Sequence, residues 1–114
     1  MSGFCVVTTT TRGDNAREII EAVLSRQLAA CVQVMPIRSH YVWQGVLREE
    51  PEDMLILKAK VADYADLEAA IRAVHAYDVP EILRLDVAAG SKAYLDWILE
   101  TTRGGVQESA APPS

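Results

Sequence analysis

The chain has 114 residues, of which 50% are hydrophobic, and a formal net charge of −5 at pH 7. This composition excludes intrinsic disorder over the whole chain, because disorder requires low hydrophobicity together with high net charge. No apolar run reaches the length of a membrane span, and an acidic chain without a basic block is a poor nucleic-acid binder, so we expect neither membrane nor nucleic acid as a partner.

The first third of the chain predicts a strand, a helix and a second strand. Residues 4–10 are apolar and then β-branched, which is typical of a strand. Asp14 or Asn15 can cap a helix over residues 16–27, whose apolar residues recur with a helical period. Residues 28–37 predict the second strand, and Pro36 places its end at a sheet edge or a bulge.

The middle of the chain predicts two further extended segments. Residues 39–48 look like a continuing or bent strand with a turn at Gln44 and Gly45. Residues 49–52 (EEPE) predict a charged turn, so we expect the carboxylates there to lie at a solvated hairpin tip. The contiguous apolar run within residues 53–61 predicts a central strand.

The last third predicts a helix, a strand and a final helix. Asp63 caps the helix that ends near Val74, because Pro80 and the polar residues before it break the pattern. Residues 81–89 alternate as a strand, and residues 92–102 form the last helix. We expect one domain over residues 1–103 and a disordered tail over residues 104–114.

The element order is therefore β-α-β-β-α-β with an additional C-terminal helix. This order predicts an α+β, ferredoxin-like sandwich, in which both inner helices cover one face of an antiparallel sheet. The other face has few polar residues and no cover within the chain. We therefore expect homo-oligomerisation through that face.

No common catalytic motif is present. The chain lacks the phosphate-binding, dinucleotide-binding, serine-hydrolase and zinc-protease signatures, so no motif supports an enzyme. Ser39 and His40 are neighbours on a strand and point to opposite faces, which disfavours a Ser–His pair.

Metal-ligating residues are scattered along the chain. Cys5 and Cys31 have apolar neighbours and no CxxC spacing, and the N-terminus lacks a signal peptide pattern, so we expect a cytoplasmic protein with reduced thiols. A core thiol is the simplest interpretation of Cys31, with metal ligation as the alternative. His75 follows a predicted helix, where the helix dipole favours a histidine. The alternative is that His75 belongs to a functional site.

Two segments carry candidate binding residues. Tyr41 and Trp43 share one strand face and serve either packing or a small-ligand pocket. Residues 75–81 (HAYDVPE) bring an imidazole, a phenol and carboxylates into one loop. Lys58 ends an apolar strand and needs a counter-charge, for which Glu81 is the candidate.

These segments resemble the CutA divalent-ion tolerance family. The matching stretches are LAACVQ at residues 28–33, YVWQG at 41–45, MLILK at 54–58, HAYDVPE at 75–81 and YLDWI at 94–98. The resemblance runs in order from about residue 4 to residue 102. It implies a ferredoxin-like fold and a tight homotrimer similar in architecture to PII signalling proteins.

The resemblance also implies a relation to divalent cations, especially copper. Ligands proposed in the family are a cysteine at the end of the first strand and a pair of histidines. This sequence has Thr8 at the cysteine position and the pair Val74 and His75 at the histidine position, followed by Ala76. A surviving site would therefore be weaker and harder, and would use His75 with Glu81 or other carboxylates.

The first hypothesis is thus a cytoplasmic, homotrimeric, non-enzymatic protein that binds a divalent metal ion weakly or transiently. Its candidate metal ligands are His75, Glu81 and Cys31, and Tyr77 lines the pocket. One alternative is a PII-like regulatory trimer that binds a small anionic ligand between subunits through Lys58, Tyr41 and Trp43. Another is a structural trimer that binds a protein partner.

Overall fold

The computed structural model describes residues 2–105, and these form one sheet with three helices. The elements in chain order are β1 (Phe4–Thr11), α1 (Asn15–Ser25), β2 (Cys31–Trp43), β3 (Val46–Lys60), a short 3-10 helix (Val61–Asp63), α2 (Tyr64–Val74), β4 (Ile82–Asp86) and α3 (Lys92–Thr101). The sheet is antiparallel throughout, with the strand order β2-β3-β1-β4. The predicted ferredoxin-like α+β fold is confirmed.

The core lies between one face of the sheet and the helices α1 and α2. Alternate residues of β1 and β3 point into it, since side chains on a strand alternate between the two faces. The fully buried residues at its centre are Val7, Leu55, Leu57, Ile19, Val23, Leu67 and Ile71. We call this face of the sheet the helix face and the opposite one the open face.

The strands β2 and β3 form a long hairpin that extends beyond the rest of the sheet. β1 ends at Thr11, opposite Asp53, so β3 has neighbours on both sides only from Asp53 onward. Before that point β2 and β3 pair only with each other, in an unbroken register down to Trp43 and Val46. We call residues 37–43 and 46–52 the arm.

The predicted charged turn at residues 49–52 is wrong, because these residues lie inside β3. The chain reverses instead at Gln44 and Gly45, where the sequence predicted a turn and where both residues have positive φ. Positive φ at both central positions is the geometry of a two-residue hairpin turn. Pro51 is tolerated because β3 is an edge strand along the arm.

The C-terminal helix is fixed at its end by Arg103. The guanidinium of this residue binds Asp63 at 2.9 Å and Asp66 at 2.6 Å. Its carbonyl accepts a hydrogen bond from the ammonium of Lys60 at 2.8 Å. The contacts attach α3 to the corner between β3 and α2, at the end of β3 farthest from the arm.

Two further expectations concern the C-terminal tail and membrane spans. The predicted disordered tail lies, beyond Gly105, outside the described residues. Each helix of residues 2–105 is too short or too polar to cross a membrane.

Candidate functional site

A cleft of about 760 Å³ lies between the arm and the loop that joins α2 to β4. The arm forms one wall, and residues 77–81 form the other, together with Thr10 and Arg12 at the end of β1. The cleft therefore exists because the hairpin extends past the end of β1. The part that extends faces the loop between α2 and β4.

The register of the hairpin explains which side chains face the cleft. Residues directly opposite one another in antiparallel strands share a face of the sheet. Tyr41 lies opposite Arg48, and Ser39 lies opposite Glu50, so these residues and Trp43 project from the same side of the arm. The open face of the arm is thus aromatic and charged, and it lines the cleft.

The lining carries an excess of negative charge. Two arginines, Arg12 and Arg48, lie among carboxylates that outnumber them. The carboxylates are Glu50, Glu52, Asp78 and Glu81. With four acidic and two basic side chains, the cleft has a net charge of −2 when His40 is neutral.

Three of these carboxylates are held by donors from the same chain. Arg12 binds Glu50 at 3.2 Å, and the hydroxyl of Thr8 donates to Glu81 at 3.1 Å. The hydroxyl of Tyr77 donates to Glu52 at 2.6 Å. Burial, reinforced by the bond to Glu52 and its negative charge, raises the pKa of Tyr77 to about 12. The Tyr77–Glu52 bond joins the 77–81 loop to the arm, and the Thr8–Glu81 bond joins the same loop to β1.

His75 is next to the cleft but does not line it. The backbone N–H of Tyr77 donates to Nδ1 at 3.1 Å, so Nε2 carries the proton and donates to the Thr10 carbonyl at 3.0 Å. Nε2 also lies 3.1 Å from the hydroxyl of Thr9. Burial lowers the pKa of His75 below its ordinary value of 6.5, although the Thr10 carbonyl and the charge of Glu52 act in the opposite direction.

Asn15 completes the junction below the cleft. Its side-chain oxygen accepts hydrogen bonds from Thr11 at 2.6 Å and from the backbone N–H of Ala76 at 3.1 Å. Its amide nitrogen donates to the Val74 carbonyl at 2.8 Å. Asn15 and His75 together attach the end of α2 to the end of β1, and so they orient the loop that carries Tyr77.

The structure separates the predicted site residues into two groups. Tyr41, Trp43, Tyr77 and Glu81 line the cleft. Lys58 and Cys31 pair with each other on the open face, toward the other end of the sheet.

Lys58 has a different partner from the predicted one. Its ammonium lies over the ring of Tyr94, 5.6 Å from the centroid, rather than beside Glu81. The predicted Lys58–Glu81 ion pair does not form within one chain, where Glu81 accepts a hydrogen bond from Thr8 instead.

The predicted metal ligands do not converge. Cys31 faces the open side of the sheet, whereas His75 contacts Thr9, which is buried on the helix face. Both ring nitrogens of His75 have partners in the chain. Among residues 2–105 there is no group of three or more His, Cys, Asp or Glu side chains that could hold a metal ion. Residues 2–105 of a single chain therefore provide no closed metal site.

Cys5 is the other thiol, and it lies in the core. The side chain is 1% exposed, and burial raises its pKa to about 11. It is therefore protonated and inert at neutral pH.

Sequence reasoning missed part of the cleft. Arg48, Glu50 and Glu52 were assigned to a turn and its flank, although they alternate with Leu47, Glu49 and Pro51 as strand residues do. Treating residues 46–60 as one strand would have placed them on the same face as Tyr41 and Trp43. Arg12 gave no such signal, because only the fold brings it beside Tyr77.

Comparison with known proteins gives a consistent family. The family model described as CutA1 divalent ion tolerance protein matches residues 4–101. A divalent-cation tolerance protein CutA from Thermus thermophilus is 39% identical over 98 residues, which is 85% of this chain and 95% of the relative.

A plant relative and a solved structure extend the comparison. The chloroplastic protein CutA of Arabidopsis thaliana is 33% identical over 86% of this chain, and the match covers 54% of that longer protein. The crystal structure of CutA1 from Pyrococcus horikoshii superposes with a TM-score of 0.83 at 32% identity, covering 87% of this chain and 98% of that one.

Proposed function

This chain belongs to the CutA1 divalent ion tolerance protein family, and on that premise we propose that it takes part in tolerance of divalent cations as a homotrimer. In this proposal the protein is cytoplasmic and has no enzymatic activity of its own. The proposal rests on the arm, which has neither the third strand nor the helices that flank the rest of the hairpin.

The arm is a two-stranded ribbon, and such ribbons are marginally stable in water on their own. Within residues 2–105, no strand pairs with the arm portion of β3 on the side away from β2. The arm also exposes large apolar side chains, with Val42 at 67% and Leu47 at 75%. Contiguous exposed apolar surface beside an unpaired strand edge marks an interaction site.

A second copy of the chain is the occupant that fits this surface. The sheet body exposes apolar residues of its own on the open face of β4, namely Leu83 at 56% and Leu85 at 54%. Each chain thus carries an apolar arm and an apolar face. Contacts between unlike surfaces of identical chains close into a ring when the rotation permits, and the family resemblance supports three as the number of chains. Val42 and Leu47 project from the side of the arm opposite Tyr41 and Trp43, which line the cleft.

Light scattering of the protein and a matched pair of variants tests the assembly. We expect the unmodified protein to have the mass of three 12.5 kDa chains, and we expect Leu47→Glu to dissociate it. Leu24→Glu is the control, because Leu24 is also exposed but lies on α1, away from the arm. A monomer at micromolar concentration, or a trimer that Leu47→Glu leaves intact, contradicts the proposal.

Divalent cations would be held weakly in this proposal. The available donors in one chain are the carboxylates of the cleft, such as Asp78 and Glu81, together with the negative charge of the lining. Carboxylate oxygens suit hard divalent cations, whereas soft sites need thiolates. The separation of Cys31 from the other predicted ligands supports weak, hard binding.

Calorimetric titration of metal-free protein with Cu(II), Zn(II) and Mn(II) tests this part. We expect weak binding that Glu81→Gln reduces and that Cys31→Ser leaves unchanged. Binding that is tight and requires Cys31 would contradict a carboxylate site. Absence of binding to all three ions would mean that cations do not contact the cleft directly.

A further inference from the structure

We propose that the cleft binds a small organic cation, and that a quaternary ammonium group is the recognised feature. This ligand class goes beyond the proposed role in divalent-cation tolerance. It rests on the aromatic side chains of the cleft, which a metal ion does not need.

The aromatic residues come from both walls. Tyr41 and Trp43 project from the arm and are 41% and 52% exposed, and Tyr77 lines the cleft from the loop. Aromatic ring faces attract cations, and the attraction is the basis of quaternary ammonium recognition in aromatic cages. The volume of about 760 Å³ is within the usual range of ligand sites.

The structure already shows a cation bound by this combination of groups. The guanidinium of Arg12 lies 5.6 Å from the centroid of the Tyr77 ring. The same guanidinium binds the carboxylate of Glu50 at 3.2 Å. A ring face and a carboxylate thus hold a positive group together at one end of the cleft, and Tyr41 and Trp43 offer further ring surface.

The charge of the lining selects the sign of the ligand. Four carboxylates against two arginines favour a cation over an anion. The predicted anionic ligand depended on Lys58, which lies outside the cleft over Tyr94.

The carboxylates contribute charge to the cleft, and three of them already have a donor within the chain. Glu50, Glu52 and Glu81 already accept bonds from Arg12, Tyr77 and Thr8. A quaternary ammonium ion requires no acceptor and gains from charge and ring contact alone.

Tryptophan fluorescence provides the measurement. The chain has two tryptophans, so the variant Trp97→Phe leaves Trp43 as the only one and makes its emission a reporter of the cleft. We titrate this variant with choline and, in parallel, with 3,3-dimethylbutan-1-ol, which has the same shape without the charge. We expect a saturable change with choline and at least about tenfold weaker binding of the neutral alcohol.

A pair of tyrosine variants in the same background locates the effect. Tyr41→Leu removes a ring from the cleft and is expected to weaken choline binding several-fold. Tyr94→Leu removes a ring outside the cleft, over Lys58, and is expected to leave the affinity unchanged.

Several results would overturn the inference. These are equal binding of choline and the alcohol, no saturation with choline at tens of millimolar, or equal losses in the two tyrosine variants. None of them would alter the mass from light scattering or the metal titration, so failure here is distinguishable from failure of the proposed function.

Discussion

The two halves of the β2–β3 hairpin share the same backbone pairing but differ in burial and in the elements beside them. Leu47 and Leu55 lie on the same face of the same strand, yet Leu47 is 75% exposed and Leu55 is fully buried. The inner half has β1 beside it and helices above it, whereas the arm has neither. The register continues across both halves without interruption.

This difference shows that strand pairing and tertiary support are separate properties. The inner half contributes to the core, and its residues are chosen for packing. The arm contributes almost nothing to the core of its own chain, but it supplies one wall of the cleft. The candidate functional residues of β2 and β3 are concentrated where the chain gains least stability from them.

Replacing the two leucines gives the largest expected contrast. Leu55→Ala leaves a cavity in the core and should reduce the free energy of unfolding by about 2–5 kcal/mol at every protein concentration. Leu47→Ala should have an effect that depends on protein concentration, because it removes a contact between chains. Denaturant unfolding at several concentrations measures both, and equal, concentration-independent losses would contradict the contrast between the halves.

The two histidines give the next contrast, and it depends on pH. Burial lowers the pKa of His75 in the folded state, so the unfolded chain binds the proton more readily below its ordinary pKa of about 6.5. Stability from His75 is therefore complete above that pH and is lost as the pH falls toward the lower folded value.

Unfolding midpoints between pH 7.5 and 5.5 test this. We expect His75→Gln to remove part of the pH dependence in that range and to cost about 1–3 kcal/mol at pH 7.5 through lost hydrogen bonds. His40→Gln, on the exposed arm, is the control for the substitution itself. An unchanged slope in His75→Gln would contradict a neutral, buried His75.

The smallest contrast concerns two glutamates of the arm. Glu52 accepts a hydrogen bond from the hydroxyl of Tyr77. Glu49 instead forms an exposed ion pair with Arg38 at 3.4 Å. Glu52→Gln should lower the pKa of Tyr77 from about 12 toward its ordinary value of about 10 and cost about 1 kcal/mol.

Absorbance titration of the tyrosines follows this change, with Tyr77→Phe identifying the phenol concerned. Glu49→Gln should leave the titration unchanged and alter stability by less than about 1 kcal/mol, as expected for an exposed pair. Equal effects of the two glutamate variants would show that the loop is not held by Glu52.

The order of elements was predictable from the sequence because apolar periodicity reports burial. The strands and helices that enclose the core each present a regular apolar face, and all of them were predicted. The arm is exposed on both sides, so residues 49–52 have no such face and their charges resemble a turn. Gln44 and Gly45 were the correct turn because Gly tolerates positive φ.

The cleft was predictable only in part. Four lining residues were candidates because of their residue type, since aromatic and acidic side chains in loops and on exposed strands are common in binding sites. They are Tyr41, Trp43, Tyr77 and Glu81. The partners of His75 and Lys58 were not predictable, since Thr9 and Tyr94 are far from them in sequence and only the packing of α2 and α3 brings them together.

The Arg103 contacts and the arm lie at opposite ends of the molecule. The described residues extend 50 Å along their longest axis, with Arg103 beside Lys60 at one end of β3 and the arm at the other. A chain tethered to a sensor surface through residue 105 would therefore present its cleft toward the solution. Attachment through the arm would bury the cleft against the support, so the choice of tether decides whether an immobilised chain can report ligands.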